Sequence, residues 1–182
     1  MVAYFVRIYD TEIMQYSEQL LLGMLNILRF CPPEATPYRK ELIIAIRHIS
    51  STALKDKFVP HLESLFNDDV LFGHGLTVKE SLRALGYHVI AELVHQVRNQ
   101  LSYQTLSAAT YTFLTNLHDD ALLLPVHTVS AKLLTNLVDC IRQKKVDGQT
   151  SPNESRQLLI RIMQSFTERV ETLGAFSMDI QI

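Results

Sequence analysis

The residues most able to do chemistry in this 182-residue sequence are His118, Asp119 and Asp120, which follow one another directly. A histidine beside two carboxylates could transfer protons or contribute ligands to a metal ion. A similar run, Asn67-Asp68-Asp69, lies two predicted helices earlier. Both runs fall at junctions between predicted helices, where helix dipoles favour a histidine at a C-terminus and acids before an N-terminus. We therefore interpret both as features of the junctions.

A second candidate is Gly73-His74-Gly75, because glycines before a helix can let several N–H groups converge on a phosphate. A phosphate-binding P-loop would follow a strand and end in Gly-Lys-Ser or Gly-Lys-Thr. Here no strand is predicted, and Leu-Thr-Val follows. We predict a turn between helices that needs positive backbone dihedrals. Thr77-Val78-Lys79-Glu80 then fits a capping box at the start of the next helix.

A third candidate is the pair His88 and His95, which share one face of a predicted helix. Seven residues climb about 10.5 Å along a helix, whereas two nitrogens on one zinc ion lie within about 3.5 Å of each other. The sequence also contains no Gly-x-Ser-x-Gly and no His-Glu-x-x-His motif. We predict no catalytic, cofactor-binding or metal-binding residues and no enzyme activity, and leave the partner-binding residues unknown.

Composition narrows the class of protein further. The net charge is −2, from 17 basic and 19 acidic residues, which leaves no positive excess for gripping nucleic acid. Two cysteines, Cys31 and Cys140, are too few for a disulfide framework and favour a reducing compartment. The most apolar run, Leu20 to Leu28, is half of the roughly 18 residues that a membrane span needs. We expect a soluble intracellular protein without nucleic-acid, membrane or small-molecule ligands.

Helix signals run along the whole chain, and strand signals are nearly absent. Predicted helices start near residues 11, 37, 51, 77, 102, 125 and 151, so alternate starts lie 40–51 residues apart. Two helices per repeat of this length is typical of HEAT repeats. We predict an all-α fold, an α-solenoid of HEAT-like antiparallel helix pairs in which residues 1–182 form a single array. A globular helical bundle is the alternative.

Two features of the apolar pattern predict how the helices pack. Gly86 lies on the apolar face of its helix, which predicts close contact with a neighbour. The first and last long helices carry apolar residues beyond one stripe. We therefore expect exposed apolar surface on both, as in an internal fragment of a larger scaffold whose neighbouring repeats would cover it.

Two long phrases in the sequence resemble a known family. PYRKELIIAIRHISSTALKDKFVPHLESLFNDDVLFGHGLTVKESLRALGYHVIAELVHQVR, residues 37–98, and HDDALLLPVHTVSAKLLTNLVDCIR, residues 118–142, resemble the N-terminal HEAT region of the TRRAP family, the transformation/transcription domain-associated proteins. The resemblance is weaker from Tyr16 to Thr36 and from Glu154 to about Phe176. We place no resemblance on residues 1–15.

The resemblance implies a nuclear, non-enzymatic scaffold of a transcription coactivator in histone acetyltransferase complexes such as SAGA. It implies transcription activators and complex subunits as partners. The family's kinase-like domain, which lacks catalytic residues, has no counterpart in this sequence. Two alternatives stay open: a HEAT arm of a related giant phosphatidylinositol-3-kinase-like kinase, and a small helical enzyme that uses Asp and His at helix junctions. Acid–base residues that converge in one pocket would favour the enzyme.

Overall fold

The computed structural model describes residues 10–146, 148 and 150–179, with side chains for all of these except 10, 11, 76–81, 145, 146 and 173–179. Every regular element in that part of the chain is a helix, so the predicted all-α class is confirmed. The chain divides into two compact units, residues 1–101 and residues 102–182.

The first unit is built from short and long helices joined by tight turns. Its α-helices are α1 (Asp10–Ile13), α2 (Ser17–Phe30), α3 (Thr36–Ser50), α4 (Leu62–Leu65), α5 (Asp68–Leu71) and α6 (Leu76–Val97). Shorter 3₁₀ segments cover Met14–Tyr16, Pro33–Ala35, Ala53–His61 and Arg98–Gln100. Helix α2 ends where the sequence predicts, because Pro32 and Pro33 follow it and the residue before a proline avoids helical geometry.

The second unit contains three long helices: α7 (Tyr103–His118), α8 (Leu124–Val146) and α9 (Pro152–Asp179). Helices α7 and α9 run parallel, since Arg161 lies 5.4 Å from the ring centroid of Tyr111 and Ser165 contacts His118 further along both helices. Helix α8 runs antiparallel to α9, because His127 near its start contacts Arg169 near the end of α9. The predicted antiparallel pairing is present in this unit.

Most predicted helix starts agree with the structure. Helices α3, α6, α7, α8 and α9 each begin within one residue of the expected position. Ser102 caps α7 with its side chain, which accepts a hydrogen bond from the N–H of Thr105 at 3.1 Å. The capping box before α9 is also confirmed: the Ser151 N–H donates to Glu154 at 3.0 Å, and the Glu154 N–H donates to the Ser151 hydroxyl at 3.2 Å.

The third predicted helix differs from the expectation. Instead of an α-helix from Ser51 or Thr52 to about residue 67, Ala53–His61 is a 3₁₀ helix, and only the four-residue α4 follows. Pro60 lies inside this segment. A proline has no N–H to donate, and its ring clashes with the carbonyl four residues earlier in an α-helix. The sequence reading placed the start correctly, since the Thr52 hydroxyl accepts from the Leu54 N–H.

The backbone does not place Thr77 in the capping position, so the capping box predicted there is wrong. Helix α6 begins at Leu76, with Gly75 in the capping position, so Thr77 lies inside the first turn. The side chains of residues 76–81 lie outside the described part of the structure. The turn itself is as predicted, because Gly73 has a φ of 77° and Gly75 a φ of 96°. Both glycines occupy backbone conformations that other residues rarely adopt.

A buried arginine joins the helices of the first unit. Arg39 on α3 is 1% exposed, and its guanidinium donates to the carbonyls of Val70 at 2.7 Å and Cys31 at 2.9 Å. These carbonyls stand at the C-terminal ends of α5 and α2, where backbone oxygens lack helical partners and the helix dipole favours a cation. A Cβ at Gly73 would lie 2.9 Å from the guanidinium. The turn therefore needs glycine for space as well as for φ.

The apolar surface expected on the outer long helices is present in individual side chains. Leu22, Ile27 and Phe30 on α2 are 40%, 55% and 76% exposed. Met163 and Val170 on α9 are 66% and 68% exposed. Helix α2 buries Leu21, Met24, Leu25 and Leu28, and the described part of α9 buries Leu158 and Ile162, so the exposed residues lie on other faces of these helices.

Gly86 lies at a close helix contact, as predicted. A Cβ at this position would lie 2.2 Å from Cε1 of Phe72 and 3.3 Å from a methyl of Leu71. Phe72 is fully buried and packs edge-on against Tyr87 with ring centroids 5.0 Å apart. The phenyl ring therefore has little room to retreat.

We predict that Gly86→Ala destabilises the protein by about 1–3 kcal/mol through overpacking, although alanine is the better helix former. Gly23→Ala is the matched control, because Gly23 lies inside α2 and a Cβ there would meet nothing within 4 Å. That change should stabilise by up to about 1 kcal/mol. Urea unfolding of both variants measures the difference. If Gly86→Ala and Gly23→Ala stabilise the protein equally, Phe72 moves aside for the new methyl group without cost.

Candidate functional site

The structure brings one of the sequence-selected runs into a polar cluster within the second unit. His118 ends α7, and Asp119 and Asp120 begin the turn to α8. They meet His127 in the first turns of α8 and Arg169 on α9. The cluster thus draws on all three helices of the unit and is the arrangement that most resembles an active site.

Arg169 is the centre of this cluster. Its guanidinium donates to the Asp120 carboxylate at 2.8 Å and faces Nδ1 of His127 at 3.2 Å. Because an arginine only donates, Nδ1 of His127 must be the acceptor. The other ring nitrogen, Nε2, then donates to the Asp119 carbonyl at 2.9 Å. Both contacts are satisfied together by one neutral tautomer of His127, which ties the turn to α9.

His118 and Asp119 each have a structural partner. Nε2 of His118 lies 2.6 Å from the Ser165 hydroxyl and 4.0 Å from a carboxylate oxygen of Glu168. The Asp119 carboxylate accepts from the Ala121 N–H at 3.0 Å, which shapes the turn. His118 and Asp119, which could have been catalytic, therefore hold α7, the turn and α9 together.

The electrostatics of the cluster also disfavour proton transfer. The hydrogen bond from Arg169, and then its positive charge, lower the pKa of Asp120. The Asp120 side chain is 80% exposed. A solvated carboxylate with a lowered pKa is a weak general base and is not protonated to act as a general acid near neutral pH. In the described ranges, no three His, Cys, Asp or Glu side chains are grouped to hold a metal ion.

The similar run in the first unit serves the fold in a comparable way. The Asn67 side chain caps α5 by accepting from the Asp69 N–H at 2.9 Å. Asp68 accepts from the Tyr87 hydroxyl at 2.8 Å. Burial, and then this hydrogen bond, raise the pKa of Tyr87. The phenol is thereby kept as a donor that links α5 to α6.

The remaining histidine candidates are not brought into a site. His88 is exposed and His95 is half-buried on the same helix. Burial, and then the nearby charge of Arg98, lower the pKa of His95. His74, between the two glycines, lies 3.6 Å from Asp69, and both side chains are mostly exposed. Among the residues that the structure describes, neither arrangement belongs to a group of side chains that could hold a metal ion.

The sequence reading missed Arg39 and Arg169, the two residues that organise the polar contacts. A signal for Arg39 was available, because it lies four residues before Ile43 on the apolar face of α3. An arginine in that register indicates a buried cation that needs acceptors. No comparable signal marks Arg169, since its partners lie 42 and 49 positions earlier in the chain.

An open groove of about 1050 Å³ runs along α9 beside the end of α8. Arg142 on α8 lines it together with Arg156, Ile160, Met163 and Glu168 on α9. The apolar side chains in the groove, together with the exposed Leu123 and Leu124 at the α7–α8 turn, leave apolar surface uncovered in this unit.

These features define a class: a helical-repeat segment whose polar junctions join helices and whose exposed apolar side chains offer protein-contact surface. A sequence-family model described as the Tra1 HEAT repeat central region matches residues 1–182. The chain therefore belongs to the Tra1 family and is part of its non-catalytic HEAT-repeat region. The described residues contain no helix that is both long and apolar enough to span a membrane.

Individual relatives agree with this family. The chain is 41% identical over 180 residues to transcription-associated protein 1 of Drosophila melanogaster. This alignment covers 99% of the chain and 5% of that protein. It is 40% identical over 176 residues to the transformation/transcription domain-associated protein of Danio rerio, and this alignment covers 97% of the chain and 4% of that protein. The chain is 35% identical over 171 residues to the SAGA complex/NuA4 acetyltransferase complex subunit TRA1 of Saccharomyces cerevisiae. This alignment covers 93% of the chain and 5% of that protein.

The comparisons confirm the family and refine the position within it. The matching model describes the central region, so the N-terminal location expected from the sequence is replaced by a central one. The model also covers residues 1–15, for which the sequence had suggested no resemblance. The chain spans only about one twentieth of the relatives that it matches. Membership in the Tra1 family also decides against an arm of a related kinase and against a small helical enzyme.

We predict that the Arg169–Asp120 contact contributes to stability at neutral pH and is lost in acid. A carboxyl group whose pKa is lowered by folding stabilises the folded state at pH values above the pKa of the unfolded state. This stabilisation disappears as the pH falls through the pKa of the folded state. Asp120→Asn should therefore lower the melting temperature near pH 7 and leave it unchanged at about pH 2.

Melting curves across this range measure the effect. Arg169→Gln removes the same ion pair from the other side and should also flatten the acid limb of the profile. If Asp120→Asn keeps the wild-type difference between neutral and acid pH, the contact does not stabilise the fold.

Proposed function

We propose that this chain is a non-enzymatic scaffold segment of a transcription coactivator that works in histone acetyltransferase complexes. The observation that carries the proposal is the match of all 182 residues to the Tra1 HEAT repeat region. One matched relative is named as a subunit of the SAGA and NuA4 acetyltransferase complexes. A protein with the same role would work in the nucleus.

We also propose that residues 1–182 are a single HEAT-like array inside a much longer scaffold. The small share of each relative that the chain covers, 4–5%, supports the second part of this proposal. Stacked repeats contact only their neighbours and present extended surfaces to partners. Such an array would hold other proteins in place and would need no cofactor or substrate of its own.

The partners that fit this function are transcription activators and other subunits of the acetyltransferase complex. Within the second unit, the α7–α8 turn is a suitable contact, because Leu123 and Leu124 are 65% and 74% exposed. Two adjacent exposed leucines beside the Arg169–Asp120 contact give an apolar anchor with a polar rim, as at many protein interfaces. The net charge of −2 gives no support for direct binding to nucleic acid.

Purification of the tagged full-length protein from its own cells tests the function. We expect acetyltransferase-complex subunits to be recovered with the wild-type protein and identified by mass spectrometry. Recovery of the intact protein without any such subunit would contradict the proposal.

A variant of the full-length protein tests the turn as a contact surface. Leu123→Asp combined with Leu124→Asp should reduce the recovery of one or more partners by at least about tenfold, because charges replace the apolar anchor. Thr135→Asp combined with Asn136→Asp is the matched control, since it adds the same charges at exposed positions on α8. Equal recovery with both variants would exclude the turn while leaving the proposed function intact.

A further inference from the structure

The turn between α8 and α9 contains a serine followed by a proline. Ser-Pro and Thr-Pro are the dipeptides that proline-directed serine/threonine kinases recognise, and here the dipeptide is Ser151-Pro152. Such kinases accept a proline after the target residue because it has no backbone N–H that would be buried without an acceptor. The chain contains one other dipeptide of this kind, Thr36-Pro37. The two can therefore be compared within one protein.

The surroundings of Ser151 leave it accessible. Ser151 and Pro152 are both exposed, and Ser151 lies outside any helix, directly before α9. A residue before a proline avoids helical geometry and favours the extended backbone in which kinases bind their substrates. Helices of this chain flank the turn on both sides, so it is an internal connection of the second unit rather than the face of a terminal helix.

Thr36 is less accessible. It is half-buried and is the first residue of α3, with helical backbone angles of φ −47° and ψ −44°. The 3₁₀ segment Pro33–Ala35 directly precedes it, and its hydroxyl donates to the Pro33 carbonyl at 3.2 Å. A kinase would have to unwind helical structure on both sides to bind this threonine. The structure therefore separates two positions that the dipeptide alone makes equivalent.

Glu154 restrains the Ser151 hydroxyl. Oε2 of Glu154 accepts from the Ser151 hydroxyl at 2.8 Å, from the Ser151 N–H at 3.0 Å and from the Thr150 hydroxyl at 3.1 Å. These hydrogen bonds, with that of the Ser151 hydroxyl first, lower the pKa of Glu154. The Ser151 hydroxyl must leave this carboxylate before a base in a kinase can take its proton. The capping box is therefore a barrier to modification, although its side chains are exposed.

We propose that Ser151 is a phosphorylation site for proline-directed serine/threonine kinases, and that the capping box with Glu154 limits the rate of its modification. In this reaction the Ser151 oxygen forms a bond to the γ-phosphorus of ATP. The bond between that phosphorus and the bridging oxygen breaks, ADP leaves with this oxygen, and the hydroxyl proton passes to a base of the kinase.

Phosphorylation exchanges one cap of α9 for another. It removes the hydroxyl donor and places a charge of about −2 beside the Glu154 carboxylate, so the two groups repel and the capping box cannot close again. The N–H groups of the first turn can then donate to the phosphate oxygens, where the helix dipole favours an anion. The modification thus adds negative charge to the turn while α9 keeps a cap. This inference does not rest on the proposed function.

Kinase treatment of the full-length protein tests the site. The protein is first treated with a phosphatase and then incubated with ATP and an activated kinase of the mitogen-activated class. Mass spectrometry measures the phosphate at each position. We expect the initial rate at Ser151 to exceed that at Thr36 at least about tenfold, because only Ser151 is accessible without local unfolding. Pro152→Ala should lower the rate at Ser151 at least about tenfold, and alanine preserves the helix.

Variants of Glu154 test the restraint. Glu154→Ala removes the acceptor of the Ser151 hydroxyl and should raise the initial rate at Ser151 at least about threefold, because the turn then opens more easily. Glu154→Gln is the matched control and should raise the rate less, since glutamine can also complete a capping box. A synthetic peptide of residues 146–157 is too short for a stable helix. In this peptide Glu154→Ala should leave the rate unchanged, which separates the restraint from direct recognition of position 154 by the kinase.

Three results would overturn the inference. A peptide that the kinase does not phosphorylate would show that this sequence is not a substrate. A phosphorylated peptide together with an unmodified Ser151 in the folded protein would show that the turn excludes kinases. If Glu154→Ala changes the rate equally in the peptide and in the protein, the capping box does not limit the modification.

Discussion

A single buried cation organises the first unit. The guanidinium of Arg39 lies where α2 and α5 end, and it donates to the carbonyls that these helices leave without partners. A buried charge is costly unless hydrogen bonds compensate it, so α3, the end of α2 and the end of α5 must keep one relative arrangement. The same constraint reaches the next turn, because Gly73 leaves the space that the guanidinium occupies.

The second unit also depends on an arginine, but there the contact, between Arg169 and Asp120, is exposed. Its turn begins where α7 ends, and Arg169 on α9 holds that turn through Asp120 and His127. In each unit an arginine from another helix fixes the polar groups of a helix junction. The two runs hold their junctions in different ways: Arg169 contacts Asp120 in the second unit, whereas in the first unit Asn67 caps α5 and Asp68 accepts from the Tyr87 hydroxyl. The residues that look catalytic in the sequence therefore have structural partners.

Local signals made most of the fold predictable, and contacts between distant residues account for the errors. Helix starts at Ser102 and Ser151 could be read because a cap and its partner lie within three residues. The 3₁₀ helix over residues 53–61 could have been predicted from Pro60, whereas the Arg169 contacts join residues more than 40 positions apart. The family, by contrast, followed from long phrases of sequence rather than from any site.

The most direct test of this account is the free energy of unfolding of Arg39→Met compared with the wild type. Methionine fills similar space but leaves the carbonyls of Cys31 and Val70 without donors, so we expect a loss of about 3–5 kcal/mol. Arg39→Lys keeps the charge but cannot reach both helix ends with one planar group, and should fall between the two. If Arg39→Met unfolds at the same or a higher urea concentration than the wild type, the buried cation does not organise the fold.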